Sequence, residues 1–276
     1  MPFKQSDRSK NKPQSQAWAE RLDTWFRHRT IVILLVLFAF CVATVTTITR
    51  PLLDLWHLYS TDIRWRENEY HKLSLLHGGM AISKVQEIMG VPIFVGSLDV
   101  SRKQSAGDIT ERMTESVYPG RDYWVQALHN ADGAVQLIAV TSCDSSFSPS
   151  FPLSGREITL NHTTLADATG DQISWHPYAL QGANHFYYYD VIPAGPPTYK
   201  VYFVGIDDAC NASRDFPGLA SSEGALDPRE LAALIPFRRQ STPNTYAETS
   251  PLFEPVLKNN TLRVGVSLLL VRSVQQ

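Results

Sequence analysis

Apolar residues follow three rhythms along this chain. From Thr30 to Thr49 they run uninterrupted by charge, "TIVILLVLFAFCVATVTTIT". At 1.5 Å per helical residue such a string reaches about 30 Å, the thickness of a hydrocarbon core. The expectation is a transmembrane helix over residues 30–50, with Arg27 and Arg29 before it and Arg50 at its end. From Pro51 onward the rhythm becomes helical. Leu52, Trp56, Tyr59, Ile63, Arg66, Tyr70 and Leu73 recur at spacings of four and three, one stripe of a juxtamembrane helix over 51–77. That stripe either packs on the body of the protein or forms a homodimer seam through 52–73.

After Gly78 and Gly79 comes a short helix over Ile82–Met89. Ile82, Val85, Ile88 and Met89 share one face, and Lys84, Gln86 and Glu87 the other. Gly90 stands where a left-handed cap belongs, and Pro92 forbids continuation. Ala81 cannot supply a capping oxygen, which leaves Ser83 to cap late. The third rhythm is β. Tyr123–His129 and Ala134–Thr141 read as strands joined by "NADG", a hairpin signal. The polar stretch Leu98–Ser116 reads as an insert between helix and sheet.

Beyond Ser148–Pro152, which reads as a linker, strands are expected at Glu157–Leu160, Phe186–Ile192, Thr198–Ile206 and Thr261–Val271. In the run "FYYYD", Tyr187 and Tyr189 point to one face and Phe186 and Tyr188 to the other, so one pair stays partly exposed or contacts another element. Asp227–Ile235 reads as a helix. Segments 211–226 and 238–255 read as irregular, either surface loops or arms that bind a partner.

Gly79-Met80, Val85, Met89-Gly90 and Pro92 fit the pattern G-M-x-x-x-x-V-x-x-x-[LM]-G-x-P. In this the chain resembles the SmpA/OmlA (BamE-like) domain of bacterial outer-membrane lipoproteins and other exported proteins. "NADGAV", residues 130–135, looks like that family's last hairpin. The resemblance covers residues 71–143 at most. It implies an α+β fold, a small helix-plus-antiparallel-meander unit over 71–147, followed by a β-rich C-terminal part over 148–276. The sequence departs from the family in Ala81, in the long insert and in lacking the lipoprotein cysteine. The whole layout also resembles that of single-pass bacterial membrane proteins.

Charge sharpens the membrane expectation. Residues 1–29 carry seven Lys/Arg against three acidic residues, whereas residues 51–276 carry seventeen against twenty-four. The positive-inside bias then places a tail over 1–29 in the cytoplasm and residues 51–276 outside the inner membrane, in the periplasm, with the span as an uncleaved signal-anchor. Trp18 and Trp25, with Arg27, Arg29 and Arg50, would contact the interface of the bilayer. The acidic large part lacks the basic footprint of a nucleic-acid binder.

Candidate chemistry is sparse. Cys143 and Cys210 either pair as a disulfide, which an oxidising compartment favours, or stay as two buried thiols. His162, Asp167, Asp171, His176 and His185 lack zinc-motif spacing. Asp207-Asp208 could serve acid–base work or simply be solvated. Asn161, Asn211 and Asn259 sit in N-x-[ST] acceptors, which bear on the chain only if it comes from a glycosylating source. Arg238-Arg239 reads as a solvated pair. No nucleophile-elbow, P-loop or dinucleotide motif is present, so no catalytic residue, metal or cofactor is expected. The functional expectation is a non-enzymatic bacterial envelope protein that binds or scaffolds another protein. The alternatives are an envelope hydrolase, or an accessory subunit or signal transmitter of a membrane complex.

Overall fold

The computed structural model describes residues 29, 32–40, 42, 64–104, 107–170, 176–181, 186–210, 228–256 and 264–265. The chain divides into two units, Met1–Trp65 and Arg66–Gln276. In the first, residues 32–40 are helical, and Val32 to Phe38 and Phe40 are exposed on every side. Among the described residues no helix is long and apolar enough to cross a membrane. This overturns the expected single-pass signal-anchor, and with it the inner-membrane location and the periplasmic, envelope-facing ectodomain. Trp18, Trp25, Arg27 and Arg50 lie outside the described residues, as do residues 52–63 of the stripe.

Among the described residues from Trp65 onward, ten strands and four α-helices follow one another. Helices α1 (Trp65–Ser74) and α2 (Ile82–Met89) precede strands β1 (Phe94–Arg102), β2 (Ile109–Pro119), β3 (Tyr123–His129) and β4 (Val135–Ser142). A hairpin of β5 (Ser150–Leu153) and β6 (Arg156–Thr159) leads to α3 (Leu165–Thr169), β7 (His176–Gln181), β8 (Phe186–Pro193) and β9 (Val201–Asp207). Helix α4 (Pro228–Gln240) and β10 (Thr245–Thr249) complete the set.

Eight strands form one antiparallel sheet in the order β1-β2-β3-β4-β10-β9-β8-β7. This corrects the expected fold class. The helix and meander are not a small BamE-like unit standing before a separate β-rich part. They are one end of a sheet that runs through both, because β10 pairs β4 on one side and β9 on the other.

The expected insert is a hairpin. Leu98 and Val100 lie opposite Met113 and Glu111, and Val100 and Met113 are buried. Ser97, Asp99, Arg112 and Thr114 hold the other face, so alternation is present but thinly apolar. Strand β10 lies inside a stretch that reads as loop, and β5 inside one that reads as linker. Helix α4 runs through Pro236 and ends at Gln240, beyond the expected Ile235. Giving up one backbone bond at Pro236 carries Phe237 and Arg238 onto the sheet, where both are buried.

Residues alternate between the faces of the sheet. One face gathers Val100, Met113, Leu128, Leu137, Ala139, Tyr187, Tyr189, Phe203 and Ala247 with Phe253 and Val264 in a single apolar cluster. The other is covered by helices and the β5–β6 hairpin. There Phe151 stacks on Tyr246 with centroids 4.4 Å apart, and Phe237 meets Tyr188 edge-on at 5.4 Å. Tyr187, Tyr188 and Tyr189 are therefore all buried, on both faces of the strand.

Helix α2 is sewn to the β3–β4 turn by backbone. Gly79 N–H donates to Val135 O at 2.8 Å, Val135 N–H to Met80 O at 2.9 Å, and Ile82 N–H to Gly133 O at 2.8 Å. Ala81 is the N-cap without a side-chain bond; the hairpin turn supplies acceptors that a capping serine would otherwise provide. Gly78 lies so close to β10 that a Cβ there would overlap the Thr249 carbonyl, and its N–H reaches the Glu248 carboxylate at 2.8 Å.

Candidate functional site

Where Gly90 and Pro92 end α2, the chain enters the sheet as its first edge strand. Gly90 has φ 87°, a conformation that glycine takes without strain. Around the entry, Val91 is 85% exposed, Val95 58%, Ile93 41% and Phe94 37%. The Phe94 ring lies along its own strand over Gly96, where a Cβ would come within 2.8 Å of it. Beside this apolar patch runs a strip of open backbone. At the far end of β1 the edge is occupied: Val256 N–H donates to Ser101 O at 2.8 Å, and Lys103 N–H to Glu254 O at 2.9 Å. These bonds show that odd-numbered residues of β1 turn their N–H and C=O outward. The period of two extends this to Val95, Ser97 and Asp99. Among the described residues nothing pairs with that stretch. At the near end Ile93 N–H turns back to Val117 O at 2.9 Å.

Of the module-signature residues, Met89, Gly90 and Pro92 lead into this entry, whereas Gly79 and Met80 bond Val135 at the start of β4. Val85 and Met80 are buried, Met89 and Pro92 are half-buried, and Gly79 has φ 93°. They hold α2 on the sheet and aim the chain into β1. Of the two readings open for the cysteines, the structure has the pair: Cys143, after β4, is bonded to Cys210, after β9, with Cα atoms 4.7 Å apart. The histidine–aspartate set is not gathered. His162 follows β6, Asp167 receives the Thr164 hydroxyl bond at the start of α3, and His176 opens β7. Asp171 and His185 lie outside the described residues. Among those described, no group of three His, Cys, Asp or Glu is placed to hold a metal. In the stripe, Tyr70 packs on Phe147 at 5.0 Å and accepts a bond from Ser148 N–H, while Leu73 is buried. Tyr123 donates to Glu69, and burial together with that carboxylate pushes the Tyr123 phenol far up.

Three buried carboxylates belong to the interior. Asp190, on β8, is 0% exposed and faces Arg238, 1% exposed, with Nη2 to Oδ2 at 3.0 Å. Tyr188 donates to the same carboxylate, and so does Thr169 at 2.8 Å. Arg238 also reaches Gly170 O at 3.0 Å. Burial raises the Asp190 pKa, while the guanidinium and the hydroxyl donors pull the other way. Arg238 is thus no solvated surface cation, contrary to the sequence reading. Glu248, on β10, accepts from Lys200 at 2.8 Å and from the Tyr246 hydroxyl at 3.1 Å. Burial, then Glu248, pushes the Tyr246 phenol far up. Asp207 accepts from Ala209 N–H at 2.8 Å and from Tyr189 at 3.1 Å.

These groups hold elements together. A shallow hollow of about 190 Å³ lies above the Asp190 site, lined by Leu153, Ser154, Arg156, Ala168, Thr169 and Ile192. That is below the roughly 300 Å³ at which small-molecule pockets begin. The sequence could not pair Asp190 with Arg238 across a separation of 48 residues. An Arg placed after an in-helix proline was the one local hint.

No family model and no curated protein matches the chain. Among solved structures it is similar to a cysteine-rich secretory protein from Staphylococcus aureus subsp. aureus Mu50, at 7% identity and a TM-score of 0.32. The match covers 67% of this chain and 50% of that one, so the chain spans about half the length of that protein.

Proposed function

We propose that the chain is a non-enzymatic protein-binding module whose contact region is the entry into β1. One observation carries this reading: Val91, Ile93, Phe94 and Val95 are exposed together beside backbone groups that no described residue pairs. Edge strands in proteins that avoid association carry lysines, prolines or bulges. From Phe94 to Leu98 this edge carries none of them. Clustered exposed apolar side chains next to an open edge suit contact with another polypeptide. The buried carboxylates favour this reading over a hydrolase, since Asp190, Asp207 and Glu248 are each engaged by neighbouring side chains or backbone.

The test is comparative affinity purification. The tagged full chain should retain a co-eluting protein, and a Val91→Asp, Val95→Asp variant with an unchanged melting temperature should lose it. An identical set of co-eluting proteins from both would overturn the assignment of this surface.

A further inference from the structure

The open part of β1 is self-complementary, and we infer that it pairs antiparallel with the β1 edge of a second copy, with the two-fold axis at Ser97. The inference rests on the binding reading above and names the occupant.

The limits of the open edge fix the register. Residues 101 and 103 are taken by Glu254 and Val256, and Ile93 is turned toward β2. What remains is Phe94 to Val100, centred on Ser97. In a symmetric antiparallel pair about that centre, Ser97 faces Ser97 of the copy, and Val95 faces the copy's Asp99. Each outward N–H and C=O of Val95, Ser97 and Asp99 then meets a partner. A centre at Asp99 would set two carboxylates directly opposite each other, which destabilises, and would run Val95 into the position of Glu254. A centre at Val95 would need Ile93, whose N–H is already used. Only the Ser97 centre satisfies all three conditions.

Side chains agree with this register. On the face of Gly96 and Leu98, each Leu98 comes opposite the copy's Gly96, where the Phe94 ring already fills the space that a side chain would take. The contact is therefore aliphatic against aromatic. On the other face Val95, Ser97 and Asp99 are exposed, so no side chain must be displaced. The pairing continues what the chain does to itself, since residues 254–256 already add to the same edge, antiparallel, at Arg102. The copy's β1 would extend that line.

The experiment uses the full chain with Cys41→Ser as background. Ser97→Cys, oxidised mildly, should give a disulfide-linked dimer on a non-reducing gel, because directly opposed hydrogen-bonded residues have Cα atoms about 5.5 Å apart, within disulfide reach. Ser101→Cys, beneath Val256, should cross-link at least about tenfold less. In sedimentation velocity the unmodified chain should shift toward dimer as concentration rises. Ser97→Pro should remain folded by circular dichroism and stay monomeric, since proline is tolerated where an edge N–H faces outward. A chain that is monomeric throughout and does not cross-link at 97, or a dimer that Ser97→Pro leaves intact, overturns the inference. Partner loss in the Val91→Asp, Val95→Asp purification would still uphold the binding reading in either case.

Discussion

The sheet contains two meanders, β1–β4 and β7–β9, which are held by different means. The first is closed by backbone: α2 is laced to the β3–β4 turn through Gly79, Met80, Ile82, Gly133 and Val135, and its ion pair Arg102–Glu111 sits half in water at 3.4 Å. The second is closed by buried charge, with α3 and α4 anchored to β8 through Arg238, Asp190 and Thr169. Among the described residues β1 of the first meander has unpaired backbone along its edge, and β8 of the second has polar groups locked against it. The difference assigns roles, with contact at the first and rigidity at the second.

The largest test breaks the second meander. Arg238→Ala leaves the Asp190 carboxylate buried beside Tyr188 without its cation, which should cost roughly 3–5 kcal/mol. Glu111→Ala in the first meander removes a half-exposed partner and should cost under about 1 kcal/mol. Urea unfolding of both variants measures the contrast. Equal losses would mean that the two meanders do not differ in how they are held.

How much of this was legible follows from sequence distance. Strand β3 and most of β4 could be read because aromatic and β-branched alternation flanks a local Asn-Ala-Asp-Gly turn. β8 and β9 were read for the same reason. Strand β10 was not. "TYAET" is polar, yet all five residues are buried in the centre of the sheet. Its polarity is satisfied only by partners far along the chain: Thr245 bonds Thr141, Glu248 takes Gly78 and Lys200, and Thr249 accepts from Val201 N–H. A buried polar strand carries no hydrophobic period, so local pattern reads it as loop. The candidate edge was hidden for a related reason. β1 has one exposed face and one open side, which leaves few apolar positions to mark it. The long apolar string near the amino end is legible as composition, yet among the described residues no helix is long and apolar enough to cross a membrane.

A middle-sized test concerns the join between the meanders. Cys143 follows β4 and Cys210 follows β9, so their bond ties the two across a separation of 67 residues. Loop-closure entropy puts its contribution at about 4 kcal/mol. Cys143→Ser with Cys210→Ser should lower the urea midpoint accordingly while leaving far-ultraviolet dichroism unchanged. No change in midpoint would mean that β10 alone, paired with both β4 and β9, holds the halves in place.

The smallest effect is the most diagnostic, because the two regions should respond to pH with opposite signs. Asp144, just beyond β4, accepts from the Ser146 hydroxyl and the Ser146 N–H, which lower its pKa. A lowered carboxylate contributes stability above its unfolded value, near 3.9, and loses it as pH falls through the folded value. Asp190 is raised, chiefly by burial. Its folded form holds the proton more tightly than the unfolded chain does. Its contribution is therefore full below the unfolded value and is lost as pH rises through the folded one. Asp144→Asn and Asp190→Asn separate the two. The stability of the unmodified chain relative to Asp144→Asn should grow as pH rises from about 3 toward neutral. Relative to Asp190→Asn it should shrink over the same rise. Slopes of the same sign would show that Arg238 and the donor hydroxyls outweigh burial at Asp190, and the contrast between an exposed carboxylate and a sealed one would fail at that residue.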